Sequence, residues 1–392
     1  MTKHLAKRVS NYELFFDLAV VLAIGQLTTA IHIDTINVSN VLFFLGGSII
    51  LLNIWNFEAI YYNKYGDSRR ADIYTVILLM MWLGNLALAY NFDINVLTKD
   101  PGNTVIFNSM LVLAYATIAA QYFFKGKKLG FSQDIKSNII LQIIYLVPLV
   151  PVALGLLPYS HWVLAYSVLP IFVPILLRLP FIRDWHARHF DTNLNFPHFV
   201  ERNQLLMILT FGETVIGTIR TYPLRNFPLE GFFLFLGMAG LFLFYMTQTF
   251  VNINHHQKTS VMPYFYSHAL AIISLLFFTV GLEFMSDHHH YKLGVIFFIF
   301  SVVGFYIGVL STSRYNQELY KPTLGLMGQY AAALLLAILA FVLLRDNLLA
   351  MGISLVVLDY IMLQIGMNFR KKQREKHNVP HPDPTLNIRD FS

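Results

Sequence analysis

Glu13 and Asp17 are four residues apart in the apolar stretch VSNYELFFDLAVVLAIGQLTTAI, which runs from Val9 to Ile31. At helical spacing the two acids share one face. At ~1.5 Å per residue the stretch is long enough to cross a bilayer. A carboxylate inside a membrane helix is costly unless it faces a cavity or a partner. The chemistry open to Asp17 is therefore binding of a proton or cation, gating of a cavity, or an ion pair. Lys3, Lys7 and Arg8 precede the stretch, and Arg8 is the nearest candidate partner. Glu13 lies nearer the end and reads as a solvated acid or as an N-terminal helix acid.

The arrangement returns in ERNQLLMILTFGETVIGTI, from Glu201 to Ile219. Arg202 precedes the apolar run, and Glu213 sits ~15 Å into it, close to the bilayer midplane. Thr210, Glu213, Gly217 and Arg220 fall at spacings of three, four and three, a polar stripe suited to a cavity lining. Asp359 lies inside the last apolar run, followed by Gln364. Asn53, Asn56 and Glu58 mark the end of the second run and could line the same cavity. Trp55, Tyr61 and Tyr62 beside them read as an interfacial aromatic belt. His268 opens a later span and reads as a hydrogen-bonded packing residue.

Two histidine groups are weak candidates for a metal. His186 and His189 are three apart, as are His198 and Glu201, spacings that suit ligands on helix faces. No strict zinc spacing is present. His288, His289 and His290 form a short outer-loop run. Nothing matches a nucleophile elbow, a phosphate loop or a nucleotide fingerprint, so no catalytic residue and no cofactor is indicated.

These residues must be positioned by membrane helices. The 392 residues are 56% hydrophobic and 13% charged, against about 25% charged in soluble domains. There is no cysteine, which removes disulfide and thiolate chemistry. The net charge of +6 is spread over separate short loops, which argues against nucleic acid as a partner. Apolar runs of spanning length fall near 9–31, 40–62, 73–91, 104–124, 138–157, 160–178, 203–221, 229–250, 263–284, 293–311, 323–344 and 346–368. Pro148, Pro151, Pro170 and Pro174 interrupt the fifth and sixth. The expected fold is an all-α membrane bundle of about twelve spans. The expected organisation is a first half at 1–178, a polar His- and Arg-rich linker at 179–202, a second half at 203–369, and a basic tail at 370–392. If the second half repeats the first, the two are parallel six-helix repeats. With the N-terminus in the cytoplasm, inside segments hold 23 of the 28 Lys and Arg and outside loops hold 5. The positive-inside rule then places both termini and the linker in the cytoplasm.

The stretch RVSNYELFFDLAVVLAIGQLTTAIH resembles the opening signature of the bacterial low temperature requirement A (LtrA) proteins. HFVERNQLLMILTFGETVIG, from His198 to Gly217, resembles that family's second signature. The segment from Trp55 through Asn63, Asp67 and Arg70 to Met80 looks like a third. Matching signature residues are Glu13, Phe16, Asp17 and Gln26, then His198, Glu201, Arg202, Gly212 and Glu213. The resemblance implies a multi-pass protein of the bacterial cytoplasmic membrane linked to growth in the cold. It names no substrate. A looser likeness is to lysosomal-type potassium channels built of two six-helix repeats, which open each repeat with an Arg and a Phe-plus-Asp motif.

Together these observations lead to the expectation of a transporter or permease for an ion or small solute. Asp17 and Glu213 would line its pathway, with Glu13 and Asp359 as further acids and Arg8 or Arg202 answering them. One alternative is a passive cation channel. Another is a membrane-embedded enzyme or sensor acting through the His-rich linker. The partners expected are the lipid bilayer and the small ion or solute, and a homo-oligomer is compatible with the sequence.

Overall fold

The computed structural model describes residues 7–90, 101–158, 161–176, 179–191, 193–223, 229–287 and 289–380. His288 and the tail beyond 380 lie outside them. The described chain is helical, with a single isolated β-bridge between Ile253 and Asn316. Its principal helices are α1 (Asn11–Ala30), α2 (Val38–Lys64), α3 (Arg70–Ala89), α4 (Pro101–Leu129), α5 (Gln133–Leu146), α6 (His161–Val168), α7 (Pro180–His189), α8 (Phe196–Thr221), α9 (Leu229–Met246), α10 (Met262–Ser286), α11 (Tyr291–Ser311), α12 (Leu324–Leu343) and α13 (Leu348–Lys376).

Local sequence explains the boundaries. Ser10 caps α1 in a capping box with Glu13, so that acid is tied to the helix start. Ser132, Thr323 and Asn347 cap α5, α12 and α13 in the same side-chain-to-backbone manner. Pro148 and Pro151 tighten the end of α5 into the 3-10 turn Val147–Leu149 and a further short turn, Val150–Ala153.

Among the described residues ten helices are long and apolar enough to cross a membrane. They correspond to ten of the twelve expected spans. The sixth expected span is broken: α6 gives way to the 3-10 turn Leu169–Ile171 and then to Val173–Leu176, at Pro170 and Pro174. Only Trp162–Ile171 forms a shorter apolar helix there. The seventh is the continuous helix α8, which carries Glu201, Arg202, Glu213 and Arg220. It is not among the ten.

The chain forms two compact units. The first comprises Met1–Leu209 with Lys258–Phe265, and the second Thr210–Gln257 with Tyr266–Ser392. In the first unit, α3 packs on α1 and α4, and α4 packs on α5. In the second, α13 packs on α9 and α12. Small residues set that seam. A methyl at Gly237 would fall 2.4 Å from Leu355, and one at Gly240 would fall 2.5 Å from Asp359.

Candidate functional site: a buried arginine and three carboxylates

In the first unit, α1, α2 and α8 bring four charged side chains to one point. Glu13 and Asp17 come from one face of α1, Glu58 from α2, and Arg202 from α8. All four are at most 1% exposed. The Arg202 guanidinium donates through Nη1 to Glu13 Oε1 at 2.9 Å. It donates through Nε to Asp17 Oδ2 at 3.0 Å and through Nη2 to Asp17 Oδ1 at 2.6 Å. Nη2 also donates to Glu58 Oε2 at 3.1 Å. The planar fork of arginine suits this shared, partly bidentate geometry.

A second ring of contacts fixes the first. Trp55, one helical turn before Glu58, donates its indole N–H to Asp17 Oδ1 at 2.6 Å. Its ring stacks on Phe265 and lies 5.7 Å from the Arg202 guanidinium carbon. His198, one turn before Arg202, places Nε2 3.0 Å from Glu13 Oε1. Its Nδ1 is 3.1 Å from Asn63 Nδ2, and Asn63 also exchanges hydrogen bonds with the Asn195 backbone. An amide donor on Nδ1 leaves the ring proton on Nε2, facing Glu13.

The charge count is unbalanced. One guanidinium faces three carboxylates in a site without solvent exposure. A buried charge left unanswered is strongly unfavourable. The accepting atoms show where the imbalance falls. Both Asp17 oxygens accept hydrogen bonds, whereas Glu58 Oε1 has no partner among the described residues.

Several sequence expectations change here. Arg8 is exposed, and the cation that answers Asp17 is Arg202. Glu13 is buried instead of solvated, although it does sit in the first turn of its helix. Trp55, Tyr61 and Tyr62 are fully buried, so they form no interfacial belt. Tyr61 donates to Asp72 Oδ1 at 2.6 Å and Tyr62 to the Asp72 carbonyl at 3.1 Å. Glu58 and Trp55 were legible only as polar and aromatic neighbours; their shared helix face, three residues apart, was the available signal.

The second unit holds its acids separately. Asp359 is buried, accepts from the Tyr306 hydroxyl at 2.5 Å, and leaves Oδ2 without a partner among the described residues. Glu213 is half-buried and makes no hydrogen bond or ion pair among the described residues. The buried stripe of α8 in this unit is Thr210, Thr214, Gly217 and Thr218, and the Thr279 hydroxyl of α10 donates to Thr214 at 3.2 Å. Arg220 is exposed. His268 lies 3.1 Å from the Tyr245 hydroxyl, within hydrogen-bonding distance.

Among the described residues no group of three or more His, Asp or Glu side chains is placed to hold a metal ion. His189 stacks on Trp185 and His186 on Phe190, within or beside α7. Glu201 is exposed, and His198 belongs to the arginine cluster. His290 contacts Asp287.

The sequence model of the bacterial low temperature requirement A protein (LtrA) matches residues 8–362. The chain belongs to the LtrA family. No curated protein matches it. The match spans every residue of the cluster, from Glu13 to Arg202. In this LtrA-family chain, two segments distant in sequence meet in one place: the first supplies Glu13 and Asp17, and the second supplies His198 and Arg202.

Proposed function

We propose that this LtrA-family membrane protein is a transporter for a proton or small cation, with the Arg202 cluster as its coupling site. The observation that carries the reading is the excess of carboxylates over arginine at a buried point between span-length helices. A single proton or cation at Glu58 Oε1 would bring that excess down, and its arrival or departure changes the contacts open to Arg202. Asp17 and Glu13 hold the guanidinium, and Glu58 exchanges. Asp359 and Glu213 are the acids of the second unit in this scheme.

The polar interior of the first unit supports an aqueous route to Glu58. Among the described residues, Asn53 Nδ2 and Asn56 Oδ1 on α2 lack partners, as do Asn108 Oδ1, the Tyr115 hydroxyl and the Gln121 amide on α4, and the Gln142 amide on α5. Buried polar atoms are nearly always bonded, to protein or to ordered water. Asn108, Tyr115 and Gln121 are spread over ~20 Å of the length of α4, about two-thirds of a bilayer core.

The test is flux through the purified protein in liposomes under imposed gradients of protons and of monovalent cations. A saturable rate for one of them is the expected result. Unitary currents in planar bilayers would instead make the protein a channel. Absence of flux for every ion would overturn the reading.

A further inference from the structure

The turn between α2 and α3 carries a cavity of about 570 Å³ that the Arg202 cluster does not use. Four cations line it, Arg69, Arg70, Lys125 and Lys128, against two acids, Asp67 and Asp72. Asp67 is shared among three of them: Lys128 at 2.7 Å, Lys125 at 3.2 Å and Arg69 at 3.4 Å. Lys125 also reaches Asp72 at 3.4 Å. Arg70 is exposed and has no ion pair among the described residues. The cavity therefore carries two positive charges in excess.

The helix beside it adds to that excess. Arg69 is the N-cap of α3, and no side chain caps the helix there. Two arginines thus stand at the positive end of a helix dipole, where an anion is favoured; the acid in that first turn, Asp72, is already engaged by Tyr61, Lys125 and the Asp67 N–H. The remaining wall is apolar except for Ser68. Ile73 and Phe124 line the cavity, and Phe124 and the adjacent Tyr74 are exposed. Both α3 and α4 are of spanning length, so the cavity lies where two membrane helices end.

We propose that this cavity binds a phosphate group at the membrane boundary, carried by an anionic phospholipid headgroup. Arg70 and Arg69 would clamp the phosphate in bidentate fashion, and the first turn of α3 would face it. Lys125 and Lys128 stay with their acids and hold the pocket open. Ile73 and Phe124 would receive the glycerol and upper acyl chain. The inference is independent of transport.

The experiment is native mass spectrometry of the full-length protein titrated with phosphatidylglycerol or phosphatidylcholine. Four proteins are compared: wild type, Arg70→Gln, Arg69→Gln/Arg70→Gln, and Arg345→Gln, which alters an exposed arginine outside the cavity. Wild type and Arg345→Gln should prefer phosphatidylglycerol. The double variant should bind it at least tenfold more weakly, and Arg70→Gln should fall between. Inorganic phosphate is the second arm. Failure of millimolar phosphate to displace the lipid supports the headgroup as source. Displacement supports the phosphate chemistry and assigns the site to a soluble phosphate. Equal phosphatidylglycerol binding by the double variant and Arg345→Gln, or no preference by wild type, would overturn the proposal.

Discussion

Arg202 is held by Glu13, Asp17 and Glu58 together, so its replacement leaves three buried carboxylates without a cation. Arg202→Gln should cost about 3–5 kcal/mol, read as a drop in thermal midpoint in detergent. Glu58→Gln keeps the shape and lowers the charge excess, so it should insert and melt like wild type; a loss as large as that of Arg202→Gln would show that Glu58 is needed for folding alone. Trp55→Phe removes one donor from Asp17 and should cost about 1–3 kcal/mol. A separate pH effect belongs to Asp67, in the turn outside the spans. Burial alone would raise its carboxyl, but hydrogen bonding by Lys128 and Lys125 outweighs burial and holds it well below the usual carboxylate range. A carboxyl depressed by folding contributes stability that is complete above its unfolded value, near ~4, and lost as pH falls from there through the folded value. The thermal midpoint should therefore drop below about pH 4, and Asp67→Asn should flatten that part of the profile. An unchanged profile in the variant would remove Asp67 as the source.

At the scale of elements, the helices were largely legible from apolar run length, and most expected spans lie within two to five residues of the observed helices. The exceptions have local causes. Pro170 and Pro174 break the sixth run, which hydropathy alone reads as continuous. Which polar residues face inward was harder to read. Glu213 looked like the deeper acid from its position in its run, yet the buried stripe of its helix carries threonines. Glu58 looked like a residue at the end of a span and proved fully buried, because α1 and α8 cover it in the first unit. Partners from distant sequence positions, such as Arg202 for Asp17, are set by packing that no local pattern encodes. Two predictions belong here. Gly240→Ala places a methyl against Asp359 and should cost about 1–3 kcal/mol as an overpacked seam, checked by thermal unfolding. The orphaned amides of α4 and α5 should meet water. Because the chain has no cysteine, Gln121→Cys and Gln142→Cys in an otherwise native protein should react with a small water-soluble thiol reagent, while Phe298→Cys, buried against Phe278 and Phe341, should not. Equal protection of all three would mean the amide sites are dry.

For the whole molecule, the charge asymmetry along the sequence predicts that reporter fusions in the His189 linker and after Lys376 both report cytoplasm. A periplasmic signal from the linker would change the sides of all later loops. The central claim is that the cluster of one arginine and three carboxylates carries an exchangeable positive charge at Glu58, and that this exchange drives transport. The most direct test compares ion flux into liposomes by wild type and Glu58→Gln, at matched incorporation and thermal stability, under proton and monovalent-cation gradients. Wild type should give saturable flux of one ion, and Glu58→Gln none above empty liposomes. Flux by Glu58→Gln equal to wild type would contradict that claim.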